Sequence, residues 1–192
     1  MKTDIILAGV GGQGILSIAT IIGDAALRNN LYLKQAEVHG MSQRGGDVMS
    51  CLRLSSEPIA SDLIPRGKVD LVISLEPMEA LRYVGQLAPQ GRIVTSTEPF
   101  VNIPNYPELG TVLQELEARP GTVMLPCEEL AKEVASPRAS NMVLLGAASP
   151  FLGIPQADLE QSIANIFGAK GQKIIDDNIA ALRAGANKTS EP

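Results

Sequence analysis

The chain contains 192 residues, of which 45% are hydrophobic and only 3% aromatic, and its formal net charge is −5. This length suits one α/β domain, or one domain with a short helical extension, built around an aliphatic core. The acidic balance and the lack of Trp exclude a basic nucleic-acid surface and disfavour a base-stacking platform, so no nucleic-acid partner is expected.

The two cysteines, Cys51 and Cys127, lie far apart in the sequence and form no Cys-x-x-Cys motif. This arrangement excludes an iron–sulfur cluster or a cysteine-built zinc site within the chain, and no metal site is predicted. Thiols without an obvious disulfide partner indicate a reducing compartment and predict a cytoplasmic location.

An uncharged run extends from Ile5 to Gly23 and could be mistaken for a signal peptide or a membrane helix. Clustered glycines interrupt the run, which makes a continuous helix unfavourable, and no clear cleavage site follows it. We therefore predict a buried strand, a tight turn and a buried helix, and no membrane partner.

Predicted strands and helices alternate through most of the chain. The strands are Asp4–Ala8, Leu31–Ala36, Val48–Leu54, Val69–Leu75, Arg92–Ser96 and Thr122–Leu125, and helices begin at Ile15, Pro77 and Glu128. Glycine-rich or proline-containing segments are predicted as a loop over Gly40–Gly46 and a turn over Pro89–Gly91. This alternation predicts a Rossmann-like, doubly wound α/β fold with a mainly parallel sheet and helices on both faces. Because only about ten residues join the second strand to the third, a mixed sheet is an alternative.

From Asn141 onward the hydrophobic spacing is wholly helical. We expect Gly185 to cap the last helix and Ala186–Pro192 to form a loose tail. The predicted organisation is a single α/β domain over residues 1–185, with a helical part over about 141–185, followed by a tail over 186–192.

The strongest local signal is the glycine turn, Gly9-Val10-Gly11-Gly12-Gln13-Gly14, between a predicted strand and a predicted helix. Glycines let a backbone approach a phosphate closely, and free N–H groups at a helix start favour an anion. Its candidate ligand-binding residues are Gly9, Gly11, Gly12, Gln13 and Gly14. Glu37 is the candidate for the ribose-binding acid of a dinucleotide site. Binding of NAD or FAD is thus one interpretation, and a turn without a ligand is the other.

A second polar segment runs from Glu37 to Gly46 and holds the only histidine. Its candidate binding residues are His39, Ser42, Gln43, Arg44, Gly45 and Gly46. Arg44 could pair with a phosphate or a carboxylate through two parallel hydrogen bonds. The alternative is a structural loop with Arg44 in an ion pair. This segment and the glycine turn are predicted to follow adjacent strands, which would bring both to the carboxyl edge of the sheet.

Three weaker candidates have structural interpretations. Glu76 and Glu79 suit the first turn of a helix, and Cys51 suits an apolar strand in the core. No nucleophile elbow, zinc-binding helix or Walker phosphate loop is present in the sequence. No catalytic residue is predicted.

Four segments together resemble the gamma domain of 2-oxoacid:ferredoxin oxidoreductases. Within that family, they are most similar to the small (beta) subunits of indolepyruvate ferredoxin oxidoreductases. They are the glycine turn, the block His39-Gly40-Met41-Ser42-Gln43-Arg44-Gly45-Gly46, Val69-Asp70-Leu71-Val72 with Glu76, and Asn141-Met142-Val143-Leu144-Leu145-Gly146. The resemblance extends to about Arg183, and the histidine block is its most specific part.

This resemblance implies a non-catalytic but required subunit of an enzyme that oxidatively decarboxylates indolepyruvate or a related aryl 2-oxoacid to an acyl-CoA and reduces ferredoxin. Thiamine diphosphate and iron–sulfur clusters would belong to a large partner subunit, against which this chain would pack while helping to enclose the coenzyme A site. No cofactor would be tightly bound by this chain alone. A homodimer of the isolated chain is an open alternative.

Two other functions remain open on the sequence alone. One is a stand-alone NAD- or FAD-dependent oxidoreductase, for which His39 is the candidate acid or base. The other is a non-enzymatic binding module with the same fold.

Overall fold

A computed structural model describes residues 1–39 and 45–190, with the backbone alone at residues 39 and 190. The strands of its described part are β1 (Lys2–Val10), β2 (Tyr32–His39), β3 (Asp47–Ser55), β4 (Val69–Ser74), β5 (Leu87–Ser96) and β6 (Thr122–Leu125). The helices there are α1 (Ile15–Arg28), α2 (Pro77–Arg82), α3 (Leu109–Glu117), α4 (Cys127–Val134), α5 (Ser140–Ala148), α6 (Gln156–Phe167) and α7 (Gln172–Ser190).

The strands form one six-stranded sheet in the order β2-β3-β1-β4-β5-β6. Strands β1, β4, β5 and β6 are mutually parallel, whereas β3 runs antiparallel to both β1 and β2. The α/β fold is therefore confirmed, in its mixed form. The short connection between β2 and β3 explains this form, because a parallel pairing would need a longer crossover. We predicted that β2 and β1 would be adjacent, which is wrong: β3 lies between them, although both still end at the same edge.

Alternating side chains of β1 divide the core into two layers. Ile5 and Leu7 face the larger layer with α1 and α4–α7, and Ile6 and Ala8 face the smaller layer with α2 and α3. Strand side chains point to opposite faces in turn, so a strand buried on both faces is apolar throughout. This is the reason why the uncharged N-terminal run forms the central strand and its following helix.

The C-terminal helices pack most closely where α5 crosses α7. A Cβ atom on Gly185 would lie 1.8 Å from the Val143 carbonyl oxygen, so this glycine permits contact between the two backbones. The predicted helix cap at Gly185 is wrong, because α7 continues to Ser190. The helix therefore also includes most of the predicted loose tail.

The predicted turn over Pro89–Gly91 is also wrong, because these residues lie within β5. The pairing of β4 with β5 shifts register between Val69 and Leu71 at this level. A Cβ atom on Gly91 would lie 2.7 Å from the Val69 carbonyl oxygen. Gly91 thus allows β4 and β5 to approach each other closely at the register shift. Glycines within strands often have this role.

Candidate functional site at the carboxyl edge of the sheet

The glycine turn connects β1 to α1, as the sequence predicts. Gly12 and Gly14 have φ angles of +104° and +80°, which side-chain-bearing residues rarely adopt. Gly14 is the residue before α1, and as a glycine it has no side chain with which to cap this helix end. The first turn of α1 also contains no acidic residue. The N-cap residue and the first turn of α1 therefore leave the positive end of the helix dipole without a negative charge of their own, which suits an anion.

Gln13 has a structural role within the turn. Its Oε1 accepts a hydrogen bond from the Val10 N–H at 2.7 Å, and its Nε2 donates to the Leu75 carbonyl oxygen at 3.4 Å. These bonds join the ends of β1 and β4. In this conformation, the Gln13 side chain supports the turn from inside and both of its polar atoms are occupied.

The structure brings Gly45 and Gly46 to the glycine turn. The Gly11 N–H donates to the Gly46 carbonyl oxygen at 2.8 Å, and the Gly45 N–H donates to the Gly11 carbonyl oxygen at 3.3 Å. Asn102 of the segment between β5 and α3 donates from Nδ2 to the Gly45 carbonyl oxygen at 2.6 Å. The end of the predicted polar loop, the glycine turn and the segment after β5 therefore meet at one edge.

Four predicted site residues cannot be placed by their side chains. Ser42, Gln43 and Arg44 lie outside the described residues, and so does the side chain of His39. Their roles remain predictions from the sequence.

Two of the cavities in the described part of the chain lie along the glycine turn and the first turn of α1. The first has a volume of about 240 Å³ and lies between the turn, the first turn of α1 and Val48 of β3. The second, which we call the α1/α7 cleft, has a volume of about 440 Å³. Its lining includes Gly12, Gly14, Ser17, Arg138, Asn141 and Lys170. Both volumes are on the scale of small-molecule sites or their subsites.

Sequence reasoning missed Arg138 and Lys170. Arg138 lies in a short 3₁₀ turn before α5, and Lys170 lies in another between α6 and α7. No local pattern connects either residue with the glycine turn, which is more than a hundred positions away. Arg138, Lys170 and the glycine turn come together only because α5 and α7 pack beside α1.

Glu76 and Glu79 have the structural roles that the sequence favours. The Glu76 carboxylate is 1% exposed and accepts a hydrogen bond from the Glu79 N–H at 2.8 Å, which caps α2. It also accepts a hydrogen bond from the Tyr106 hydroxyl. Burial and the Glu76 carboxylate together raise the pKa of Tyr106. Glu79 pairs with Arg82, so both carboxylates are already satisfied within the fold.

Glu37 does not meet the glycine turn. It is exposed on the edge strand β2, where its carboxylate accepts a hydrogen bond from Gln35. Strand β3 separates it from β1, whereas the ribose-binding acid of a dinucleotide site follows a strand adjacent to the glycine turn. This placement weighs against the NAD or FAD interpretation.

We expect Gly14→Ala to lower the free energy of unfolding by about 1–3 kcal/mol. The added Cβ would combine an unfavourable φ with a position 2.6 Å from Nδ2 of the buried Asn141. Urea unfolding measures the loss. Gly67→Ala is the matched control, because Gly67 has a φ of +74° but no atom within 4 Å of its Cβ position. Equal losses in the two variants would contradict the role of the Asn141 contact.

Within residues 1–39 and 45–190, no group of three or more His, Cys, Asp and Glu side chains is arranged to hold a metal ion. None of the helices there combines the length and the apolar character that a bilayer-crossing segment requires.

Comparisons with known proteins agree on one family. The family model described as pyruvate ferredoxin/flavodoxin oxidoreductase matches residues 4–188. Indolepyruvate oxidoreductase subunit IorB of Methanothermobacter thermautotrophicus is 34% identical over 198 aligned positions, which cover 100% of both chains.

Two solved structures share the fold. One is a keto/oxoacid ferredoxin oxidoreductase gamma subunit from Geobacter sulfurreducens, with a TM-score of 0.72 and 21% identity over 97% of this chain and 98% of that chain. The other is a 2-oxoglutarate:ferredoxin oxidoreductase from Magnetococcus marinus with 2-oxoglutarate, coenzyme A and succinyl-CoA bound. It has a TM-score of 0.77 and 24% identity, and the match covers 100% of this chain and 31% of that one. The resemblance carried by the sequence motifs is thereby confirmed: the chain belongs to the pyruvate ferredoxin/flavodoxin oxidoreductase family.

Proposed function

We propose that this chain is the small, non-catalytic but required subunit of an oxidoreductase that converts indolepyruvate, or a related aryl 2-oxoacid, to an acyl-CoA while reducing ferredoxin. The observation that carries the proposal is the 34% identity to an indolepyruvate oxidoreductase subunit along the entire length of both chains. The oxidation itself would take place on a large subunit that holds thiamine diphosphate and iron–sulfur clusters.

The residues of this chain do not fit a cluster site, which supports the assignment of the redox groups to a partner. Cys51 and Cys127 are the only cysteines and both are buried. They also belong to different layers of the core, on opposite faces of the sheet. Burial raises the pKa of Cys127 to about 12, so this thiol resists the ionisation that metal ligation requires.

Exposed apolar side chains at the carboxyl edge support docking of a partner there. Leu16, Val38, Phe100 and Val101 are between 38% and 65% exposed, and each lies at or near this edge. Such side chains around a polar site are typical of a protein interface. We place the large subunit on this edge, so that the glycine turn, Gly45 and Gly46 help to enclose the coenzyme A site between the subunits.

Coenzyme A carries phosphate groups that suit this edge. The start of α1, which follows Gly14 and has no acidic residue in its first turn, offers backbone N–H groups and a positive dipole to an anion. The role of this chain would be to bind and orient coenzyme A while the chemistry occurs on the partner. Arg44, by the sequence prediction, would add a guanidinium to a coenzyme A phosphate or to a carboxylate of the large subunit.

Reconstitution tests the proposal. The chain and its candidate large subunit, purified separately and mixed, should co-elute in gel filtration and reduce ferredoxin with indolepyruvate and coenzyme A. Each subunit alone should be inactive, and thiamine diphosphate and iron should be found only with the large subunit. Calorimetry of the isolated chain should detect no tight binding of NAD, NADP or FAD. Micromolar binding of any of these, together with failure to assemble, would favour a stand-alone dinucleotide-dependent enzyme.

A further inference from the structure

Strand β2 forms one edge of the sheet. Among the described strands it pairs with β3 alone, and all eight of its residues take part in that pairing. An eight-residue strand extends over about 26 Å, so its outer side presents a long row of unpaired backbone N–H and C=O groups. The strand at the opposite edge, β6, has only four residues.

β2 lacks the features by which edge strands usually avoid further pairing. It contains no proline, and its register with β3 has no bulge. Lysine commonly protects such edges, but Lys34 donates from Nζ to the Ala60 carbonyl oxygen of its own chain at 3.5 Å. Glu37 likewise accepts a hydrogen bond from Gln35 in the same strand. The edge is therefore suited to accept another strand.

Two exposed apolar side chains occupy this edge strand. Tyr32 and Val38 are 50% and 60% exposed. They are six residues apart, so they lie on the same face of the strand, together with Ala36, which packs against the smaller core layer. Tyr32 and Val38 are also equally distant from Gln35, the residue midway between them. The strand therefore has a pattern that is symmetrical about Gln35.

We infer that β2 pairs with β2 of a second copy of this chain, in antiparallel orientation about a two-fold axis at Gln35. This register places Tyr32 opposite the partner's Val38, and Val38 opposite the partner's Tyr32. Pairs of aromatic and β-branched side chains stabilise antiparallel strands. Lys34 and Glu37 both face uncharged residues in this register, so two chains of net charge −5 meet without like charges directly opposite each other.

The other two-fold registers of β2 are less favourable. Residues opposite each other in a sheet share a face, so the axis must lie at one residue of the strand. An axis at Lys34 or Glu37 would set like charges opposite each other, which destabilises the pairing. An axis at Ala36 would set Val38 opposite a lysine and leave Tyr32 without an opposite β2 residue. Axes nearer to either end shorten the overlap.

The pairing would join two six-stranded sheets into one continuous sheet. Because the two copies run antiparallel at the axis, their glycine turns would lie at opposite edges of this joined sheet. The glycine turn of each copy thus stays available to a large subunit, and Val38 is the residue at which the two docking surfaces adjoin. The dimer goes beyond the proposed function and does not depend on it.

Sedimentation velocity of the full chain over about 1–200 μM tests the dimer, because a contact through one strand lies at the small end of specific interfaces. We expect Tyr32→Glu and Val38→Lys each to weaken the dimer about tenfold. The double variant should dimerise more tightly than either single variant, since the introduced carboxylate and ammonium face each other in the Gln35 register. Val134→Lys is the matched control: Val134 is 44% exposed on α4, and its replacement should leave the dimer unchanged.

Cross-linking tests the position of the axis. Directly opposite residues of an antiparallel pair have Cα atoms about 4.5–5.5 Å apart, a distance that a disulfide can span. Gln35→Cys should therefore form a covalent dimer on mild oxidation. Glu37→Cys should not, because its two copies would lie about 13 Å apart along the strands. The natural cysteines, Cys51 and Cys127, are buried and do not compete.

Three results would overturn the inference. The first is a wild-type chain that stays monomeric at the highest concentration. The second is a dimer that both single variants leave at wild-type strength, and the third is a dimer that Glu37→Cys cross-links but Gln35→Cys does not. A monomeric chain whose Val38→Lys variant binds the large subunit more weakly would assign the β2 edge to that subunit and reject the two-fold pairing. Conversely, a chain that dimerises through β2 but assembles with no large subunit would reject the proposed function and support the dimer.

Discussion

Gly185→Ala should destabilise the fold by more than about 3 kcal/mol, because the added Cβ would meet backbone that cannot rotate away. That Cβ would lie 1.8 Å from the Val143 carbonyl oxygen and 2.9 Å from the Ala147 nitrogen. Gly146 faces α7 in the reciprocal way, with a Cβ position 1.8 Å from the Leu182 carbonyl oxygen. Helices α5 and α7 must therefore separate to accept either methyl group, and the layer around them must repack.

Urea and thermal unfolding followed by circular dichroism measure this loss. A domain of this kind has a total stability of about 5–15 kcal/mol, so the variant is expected to unfold at a much lower temperature or to be recovered in aggregates. Gly168→Ala is the matched control, since no atom lies within 4 Å of the Cβ position there. If Gly185→Ala unfolded with the wild-type midpoint, the close crossing of α5 and α7 would be wrong.

The same crossing positions the candidate site. Helix α5 carries Asn141 at its start, and α7 contributes Asp177 and Asn178 to the α1/α7 cleft. Both helices share a core layer with α1 and contribute to the lining, so a change in their separation would alter the width of the cleft.

The strands were predictable because their signals are local. Val69–Ser74 is a short, mainly apolar run that follows Lys68, and β1 is followed directly by glycines. A strand buried on both faces needs such a run whatever its neighbours are. The position of β3 between β2 and β1 was not predictable in the same way, because the order of strands depends on which of them pair. That position is what separates Glu37 from the glycine turn.

The glycines differ in whether their structural role can be predicted from the neighbouring sequence. At Gly14 the local sequence was sufficient, since a strand-to-helix turn needs a positive φ, and the structure has one of +80°. At Gly185 and Gly91, the absence of a side chain makes room for the backbone of a segment that is distant in the sequence. The sequence shows that a side chain is absent there, but it does not show which segment packs against the glycine. The prediction of a helix cap and of a turn failed for this reason.

Arg138 and Lys170 illustrate the same limit for function. The sequence predicted an anion site at the glycine turn from residues within a few positions of one another. The cations that face the turn come from two short 3₁₀ turns in the C-terminal half of the chain. Charge alone did not distinguish them from the other exposed basic residues. Their position in the lining of the α1/α7 cleft distinguishes them, as does the lack of an ion pair with any acid among the described residues.

Arg53→Leu should lower the free energy of unfolding by about 3–5 kcal/mol, because it leaves a buried carboxylate without its main partner. The Asp4 side chain is 0% exposed, and Arg53 binds it with Nε at 2.7 Å and Nη2 at 3.2 Å. Arg53 also donates from Nη1 to the carbonyl oxygens of Ser61 and Leu63, at 2.9 and 3.0 Å. One guanidinium thus neutralises a charge in β1 and holds the connection between β3 and β4.

The exposed pair of Arg28 and Asp24 provides the control. Their side chains are 39% and 37% exposed, and water screens the charges, so Arg28→Leu should cost less than about 1 kcal/mol. Lys2 also contacts Asp4 at 2.8 Å, and Arg53→Lys retains a positive charge nearby, so this variant should fall between the two. Equal stability losses for Arg53→Leu and Arg28→Leu in urea would show that burial does not set the cost of breaking this ion pair.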